Sequence, residues 1–188
     1  MKNTVLKGAL VAGASLLLLT LLAGMALAGS NENVRVALDL DPADGNQSLM
    51  IKSGVEDVIV VEVYGAVTDV KSFTITLGFD PEKLSFVPES SSVESGFQVM
   101  PPALMEAGVA GAVGLLFAGS QSGDPLLLAK MAFTPLAGFN EGFVSVVSAE
   151  FKDANGDTDT PAQNTQVLIT GVAVESESWG KVKAQFVQ

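Results

Sequence analysis

From Val34 onward, apolar residues fall at every second position in short runs separated by turn formers. That period belongs to strands with one buried face, and it constrains the fold more than any other feature of the chain. Val34, Val36, Leu38 and Leu40 alternate with Arg35, Ala37, Asp39 and Asp41, and Phe73, Ile75, Leu77 and Phe79 alternate with Ser72, Thr74, Thr76 and Gly78. Each run is read with one wet face. Further strands are expected at 58–65, 113–118, 126–133, 143–151, 166–174 and 181–187, with shorter ones at 84–87 and 97–100. About ten strands and few helices point to an all-β sandwich of two sheets.

The connections carry turn chemistry. Asp44-Gly45-Asn46, Ser122-Gly123-Asp124-Pro125 and Asn155-Gly156 supply backbone that tolerates positive φ or a fixed turn. Asp80-Pro81-Glu82-Lys83-Leu84 reads as one helical turn, with Asp80 capping free amides and Leu84 returning to the core. The segment 101–108, started by Pro101-Pro102 and stopped by Gly108, is expected to form a second short helix. Ser90-Ser91-Ser92 reads as a loop.

At the start, Lys2 and Lys7 precede an apolar run from Ala9 to Ala28 that ends Ala26-Leu27-Ala28-Gly29. This is the pattern of a signal peptide over 1–28, cut after Ala28. The alternative is a retained anchor, since about 20 apolar residues just span a bilayer. The expected organisation is a flexible N-terminus at 29–33, one sandwich over 34–174, and a polar spacer with a C-terminal strand over 175–188. The location is then secreted or cell-surface, with no membrane contact once the leader is removed.

Composition narrows the chemistry. The chain has neither cysteine nor histidine, which removes thiolate catalysis, disulfides, Cys or His zinc sites and every Ser-His or Cys-His relay. With 21 acidic and 10 basic residues it carries a net charge of −11, so nucleic acid is not an expected partner. Carboxylate pairs suffice for glycoside hydrolysis, but here every acidic cluster sits in a turn, and no nucleophile motif appears. The chain is read as non-catalytic.

Two acidic clusters are candidates for calcium, which takes several oxygen ligands from a tight loop. In Asp153-Ala154-Asn155-Gly156-Asp157-Thr158-Asp159, the side chains of Asp153, Asn155, Asp157 and Asp159 recur at alternate positions. The spacing is not that of an EF-hand, because Gly156 is fourth and Asn164 holds the twelfth place. The competing reading is a hairpin turn on Asn155-Gly156 with solvated acids. Asp39, Asp41 and Asp44, near Asn46, form the second cluster, with an exposed Asp-Gly turn as its alternative. Tyr64 and Trp179, beside ten phenylalanines mostly on inward phases, make a poor platform for stacking sugars.

The segment from Val60 to Val67, followed by Val70-Lys71-Ser72-Phe73-Thr74-Ile75-Thr76-Leu77-Gly78-Phe79-Asp80-Pro81-Glu82-Lys83-Leu84-Ser85-Phe86-Val87, resembles the cohesin domain, in which a strand leads into an aromatic-Asp-Pro-x-x-Leu turn and a further strand. The likeness extends over most of 34–174. It implies a jelly-roll β-sandwich of about nine or ten strands with one or two short helical turns, related in fold to cellulose-binding modules. Cohesins of cellulosomal scaffolds bind calcium-loaded dockerins. Leu38-Asp39-Leu40-Asp41-Pro42 with Gly45-Asn46-Gln47 looks like stand-alone cohesin-like domains of exported bacterial proteins. The resemblance therefore implies an exported recognition or assembly module. Its partner would be a dockerin-like protein or a second copy of the chain. The alternatives are a polysaccharide-binding module and a structural subunit of an extracellular polymer. The alternating Val182, Ala184 and Phe186 mark an amphipathic strand that pairs with the chain's own sheet or, in the polymer reading, adds to a sheet edge of another copy.

Overall fold

The computed structural model describes residues 29–40, 51–53, 58–98 and 101–170. The leader, Asp41, Asp44, Trp179 and the expected strand at 181–187 lie outside the described residues. Eleven strands occupy the remainder: β1 (Val36–Asp39), β2 (Ile51–Ser53), β3 (Ile59–Phe79), β4 (Leu84–Phe86), β5 (Ser92–Val93), β6 (Ala103–Glu106), β7 (Val109–Leu115), β8 (Gln121–Pro135), β9 (Glu141–Asp153), β10 (Thr158–Asp159) and β11 (Gln166–Thr170). A 3₁₀ turn covers Pro88–Ser90.

Strand β3 organises the molecule. Its first half pairs antiparallel with β1 and β8, and its second half with β7 and β9. One layer is thus β1-β3-β8, with β4 and β5 beyond β8. The other runs β2-β11-β9-β3-β7-β6, where β11 and β2 are parallel and the other pairs antiparallel. Between the halves, the β3–β8 ladder slips at Val63/Tyr64, Gly65/Val67 and Val67/Val70, and Asp69 adopts a φ of 51°. Such bulges bend a strand and increase its twist, which lets one strand serve both layers. The bend is held on both sides: the Asp69 N–H donates to Ser122 Oγ (2.8 Å), and its carbonyl accepts the Ala154 N–H (2.9 Å).

The inward phases of both layers meet in one core. Ile59, Val61, Val63, Leu38, Met131 and Phe133 fill it from the first layer; Phe73, Ile75, Leu77, Val144, Phe151 and Ile169 fill it from the second. Phe79 meets Phe133 edge-on across the layers, with ring centroids 5.2 Å apart, and Phe73 meets Phe97 at 4.9 Å. At Val34 and Val36, the edge of β1 is met by side chains acting in place of a strand. Gln163 donates to the Val34 carbonyl and accepts the Val36 N–H, both at 2.9 Å, and Thr165 donates to the Val36 carbonyl at 2.6 Å. Covering an edge in this way blocks unwanted sheet pairing.

The all-β sandwich and the Asp-Pro turn match the sequence reading. Lys83 and Leu84 donate to the Asp80 carbonyl at 3.1 and 2.9 Å, while Asp80 Oδ1 accepts the Glu82 N–H at 2.9 Å. Other expectations are corrected. Segment 101–108 is not helical: Ala103–Glu106 pairs with β7, and Gly108, at φ 77°, closes that hairpin. A glycine at positive φ ends a helix or turns a hairpin equally well, so the residue could not choose between them. Ser122-Gly123-Asp124-Pro125 lies inside β8, opposite the bend in β3, where the slipped register accommodates its turn residues. From Ile59 on, the runs at 58–65 and 72–79 belong to one strand, and the described residues of 97–100 contribute a bridge from Gln98 to Leu115. The expected flexible N-terminus at 29–33 is instead anchored, since Asn31 is fully buried. Its side chain accepts the Thr68 N–H at 2.9 Å and donates to the Thr68 carbonyl at 3.0 Å.

Candidate interaction face

In the second layer, residues whose side chains point away from the core are read directly from the register. Thr74 lies between Val113 on β7 and Glu150 on β9; Thr76 lies between Gly111 and Ser148; Gly78 lies between Val109 and Ser145; and Phe143 faces Leu168 on β11. The outward side is therefore a strip of small hydroxyl residues and glycines flanked by apolar side chains. Met105, Val113, Phe143 and Val147 are all exposed there, Met105 at 62% and Val147 at 59%.

Two glycines shape this surface. A Cβ built on Gly78 would lie 2.9 Å from Val147 Cγ2, and one on Gly111 would lie 2.6 Å from Met105 Sδ. Val147 and Met105 thus lean over glycine backbone, giving a low, smooth floor. Beside Met105 and Val113, a groove of about 370 Å³ runs along Pro101, Ala103 and Gly111. A second hollow of about 330 Å³ lies between Phe143, Gly78, Gly108 and Lys83. Val147 reaches this face because β9 slips by one residue against β3 between Thr76 and Leu77. Clustered exposed apolar side chains of this kind mark contact surfaces.

The acidic residues singled out in the sequence take other positions. Asp153, 2% exposed, closes the β9–β10 hairpin. Its Oδ1 accepts the N–H groups of Asn155, Gly156 and Asp157 at 2.8, 2.9 and 3.0 Å, and Gly156 sits at φ 96°. Asn155 and Asp157 are exposed, whereas Asp159 is buried and accepts the Asn31 N–H through Oδ2 at 2.9 Å. The loop is the hairpin turn that Asn155-Gly156 implies. Among the described residues, no group of three or more Asp or Glu side chains is arranged to hold a metal ion. Asp39 pairs in register with Glu62, while Asp153 pairs with Val70 eight residues further along β3. The structure therefore separates Asp39 from the hairpin cluster.

Asp39 and Glu62 also correct the expectation of a wet outer face on β1 and the start of β3. Both are buried, at 2% and 3% exposure. Lys130 Nζ lies 2.8 Å from Glu62 Oε1, and the Tyr64 hydroxyl donates to Glu62 Oε2. The hydrogen bond to Glu62 raises the Lys130 pKa above its usual value; partial burial opposes this, and the charges of Glu62 and Glu94 reinforce it. Tyr64 is half-buried and engaged in this network, so it offers no stacking platform. Lys130 was not singled out by sequence reasoning, although its register opposite Glu62 is what allows a charge on that face to be buried.

These features define a two-layer β-sandwich with an open, partly apolar sheet face. Its fold is cohesin-like. It is similar to the cohesin module of a family 33 glycoside hydrolase from Clostridium perfringens, with 12% identity, a TM-score of 0.58, and coverage of 74% of this chain and 97% of that one. It is also similar to CaCohA2 from Clostridium acetobutylicum (15% identity, TM-score 0.56, 78% and 97% covered). A third similar structure is the sixth cohesin of scaffoldin B from Acetivibrio cellulolyticus, solved in complex with a dockerin (14% identity, TM-score 0.54, 73% and 96% covered). No family model matches the sequence, and no curated protein does.

Proposed function

We propose that this chain is an exported, non-catalytic recognition module that docks a folded protein of the dockerin kind on the outer face of β6, β7, β3, β9 and β11. The observation carrying this reading is the collection of Met105, Val113, Phe143 and Val147 on one exposed side of one layer, over a floor kept flat by Gly78 and Gly111. The cohesin-like fold supports it, because a cohesin of the same architecture is known in complex with a dockerin. The hydroxyl strip of Thr74, Thr76, Ser145 and Ser148 gives hydrogen-bonding groups between the apolar flanks. A partner that fits presents an apolar ridge with polar groups along its crest.

The test uses immobilised protein and soluble dockerin modules, with binding followed by calorimetry. Val147→Asp and Val113→Asp are expected to weaken binding at least about tenfold, as central apolar contacts do in protein interfaces. Both are expected to leave the melting temperature nearly unchanged, since neither side chain is in the core. Binding that survives both substitutions overturns the reading. Retention on insoluble polysaccharide without protein binding, or self-association sensitive to these residues, would assign the face to a different occupant.

A further inference from the structure

We propose that removal of the leader after Ala28 creates at Gly29 an α-ammonium group that the buried carboxylate of Asp159 neutralises, so that processing completes a seam between the two ends of the sandwich. Two independent observations meet at one residue. The pattern Ala26-Leu27-Ala28 places the scissile bond immediately before Gly29. The structure places the Asp159 carboxylate against that same residue: a Cβ on Gly29 would lie 2.0 and 2.2 Å from its two oxygens. Because N and Cβ of one residue are about 2.5 Å apart, the Gly29 nitrogen is at most about 4.5 Å from the nearer oxygen.

Asp159 is only 8% exposed, and among the described residues no lysine or arginine forms an ion pair with it. The Asn31 N–H at 2.9 Å donates to one of its oxygens. A buried carboxylate held by a neutral amide lacks the counter-charge that offsets its desolvation. In the uncut chain, Gly29 offers a neutral amide; after cleavage it offers a cation with three donors at the same place. A side chain at this position would have to displace the carboxylate from Gly29. Asn31 then holds the segment in register through its two bonds to Thr68, at the bend of β3.

The full chain, with its leader, would be produced in an exporting host and its N-terminus read by intact mass and sequencing. The expected terminus is Gly29. The rate of acylation of the terminal amine, measured against pH in folded and in urea-unfolded protein, gives its pKa in each state. The folded value is expected at least one unit higher, making free amine about tenfold scarcer near neutral pH. Asp159→Asn keeps the acceptor for Asn31 and should remove the shift. If that variant does not fold, the folded-against-unfolded comparison within the unsubstituted protein decides. A retained leader, a terminus elsewhere, or an amine with the same pKa in both states overturns the proposal.

Discussion

Replacing Asp153 tests whether the β9–β10 hairpin is held by its own backbone. One carboxylate oxygen accepts three amides, at 2.8 to 3.0 Å, from a side chain that is 2% exposed. A hydrogen bond to a charged group contributes about 1.5–3 kcal/mol when its loss leaves the donor buried. Here Asn155 and Asp157 are exposed and their amides can recruit water, while Gly156 keeps a second acceptor in the Asp153 carbonyl at 3.2 Å. About 1 kcal/mol per amide is therefore the better scale, so Asp153→Ala should cost about 2–3 kcal/mol. At about 2–4 °C per kcal/mol for a domain of this size, the melting temperature falls by roughly 5–10 °C. Asp153→Asn retains an acceptor in the same position and loses only the charge, for about 1 kcal/mol. Urea and thermal unfolding of the three proteins, each in calcium and in chelator, should give the order wild type, Asn, Ala with the same gaps in both media. Equal stability of Ala and wild type would refute the reasoning. So would a gap that appears only with calcium, which would make the loop a cation site.

Other substitutions probe the remaining parts of the argument. Phe73→Ala removes a ring packed edge-on against Phe97 at the middle of the core and should cost about 3–5 kcal/mol in urea unfolding. Gly114→Ala would place a methyl 2.3 Å from Phe73 Cε1, so overpacking should cost about 1–3 kcal/mol in the same assay. Gly108→Ala meets both a φ of 77° and the Phe79 carbonyl at 2.7 Å, and should destabilise by about 1 kcal/mol or more. The Lys130–Glu62 pair gives a pH signature. Because the folded Lys130 pKa is raised above 10.5, the pair's contribution is complete below that value and is lost as pH rises through the folded pKa. The stability difference between wild type and Lys130→Met should therefore be constant through neutral pH and shrink in the alkaline range.

Much of the fold was legible because burial follows the two-residue period. Alternation alone puts Phe73, Ile75, Leu77 and Phe79 on one face; the first three are buried and Phe79 is half-buried. The joining of two runs into β3 was not legible. The sequence reading ends one run at Gly65 and starts the next at Ser72, but the residues between bend a continuous strand because Ser122, Ala154 and Asn31 bond to the backbone around the bend. Those partners are distant in sequence, and no local rule places them. The same limit explains β6: a proline start and a glycine stop frame a helix or a hairpin alike until β7 supplies ladder partners.

The candidate interaction face is hidden by the very rule that reveals the core. Alternation sorts a strand into apolar-in and polar-out, and a residue such as Val147 then reads as a fault in the pattern. The pairs Phe143-Val144 and Val146-Val147 carry the missing signal, since two consecutive apolar residues in a strand cannot both point inward. The register slip opposite Thr76 and Leu77 turns Val147 outward, where Gly78 leaves room for it. On the docking reading, stability and recognition are consequently written on opposite sides of the same strands. Substitutions at Val113 and Val147 can change what this face holds without touching Ile75, Val144 or Phe151 behind it, and that separation is what makes the docking reading testable by mutation.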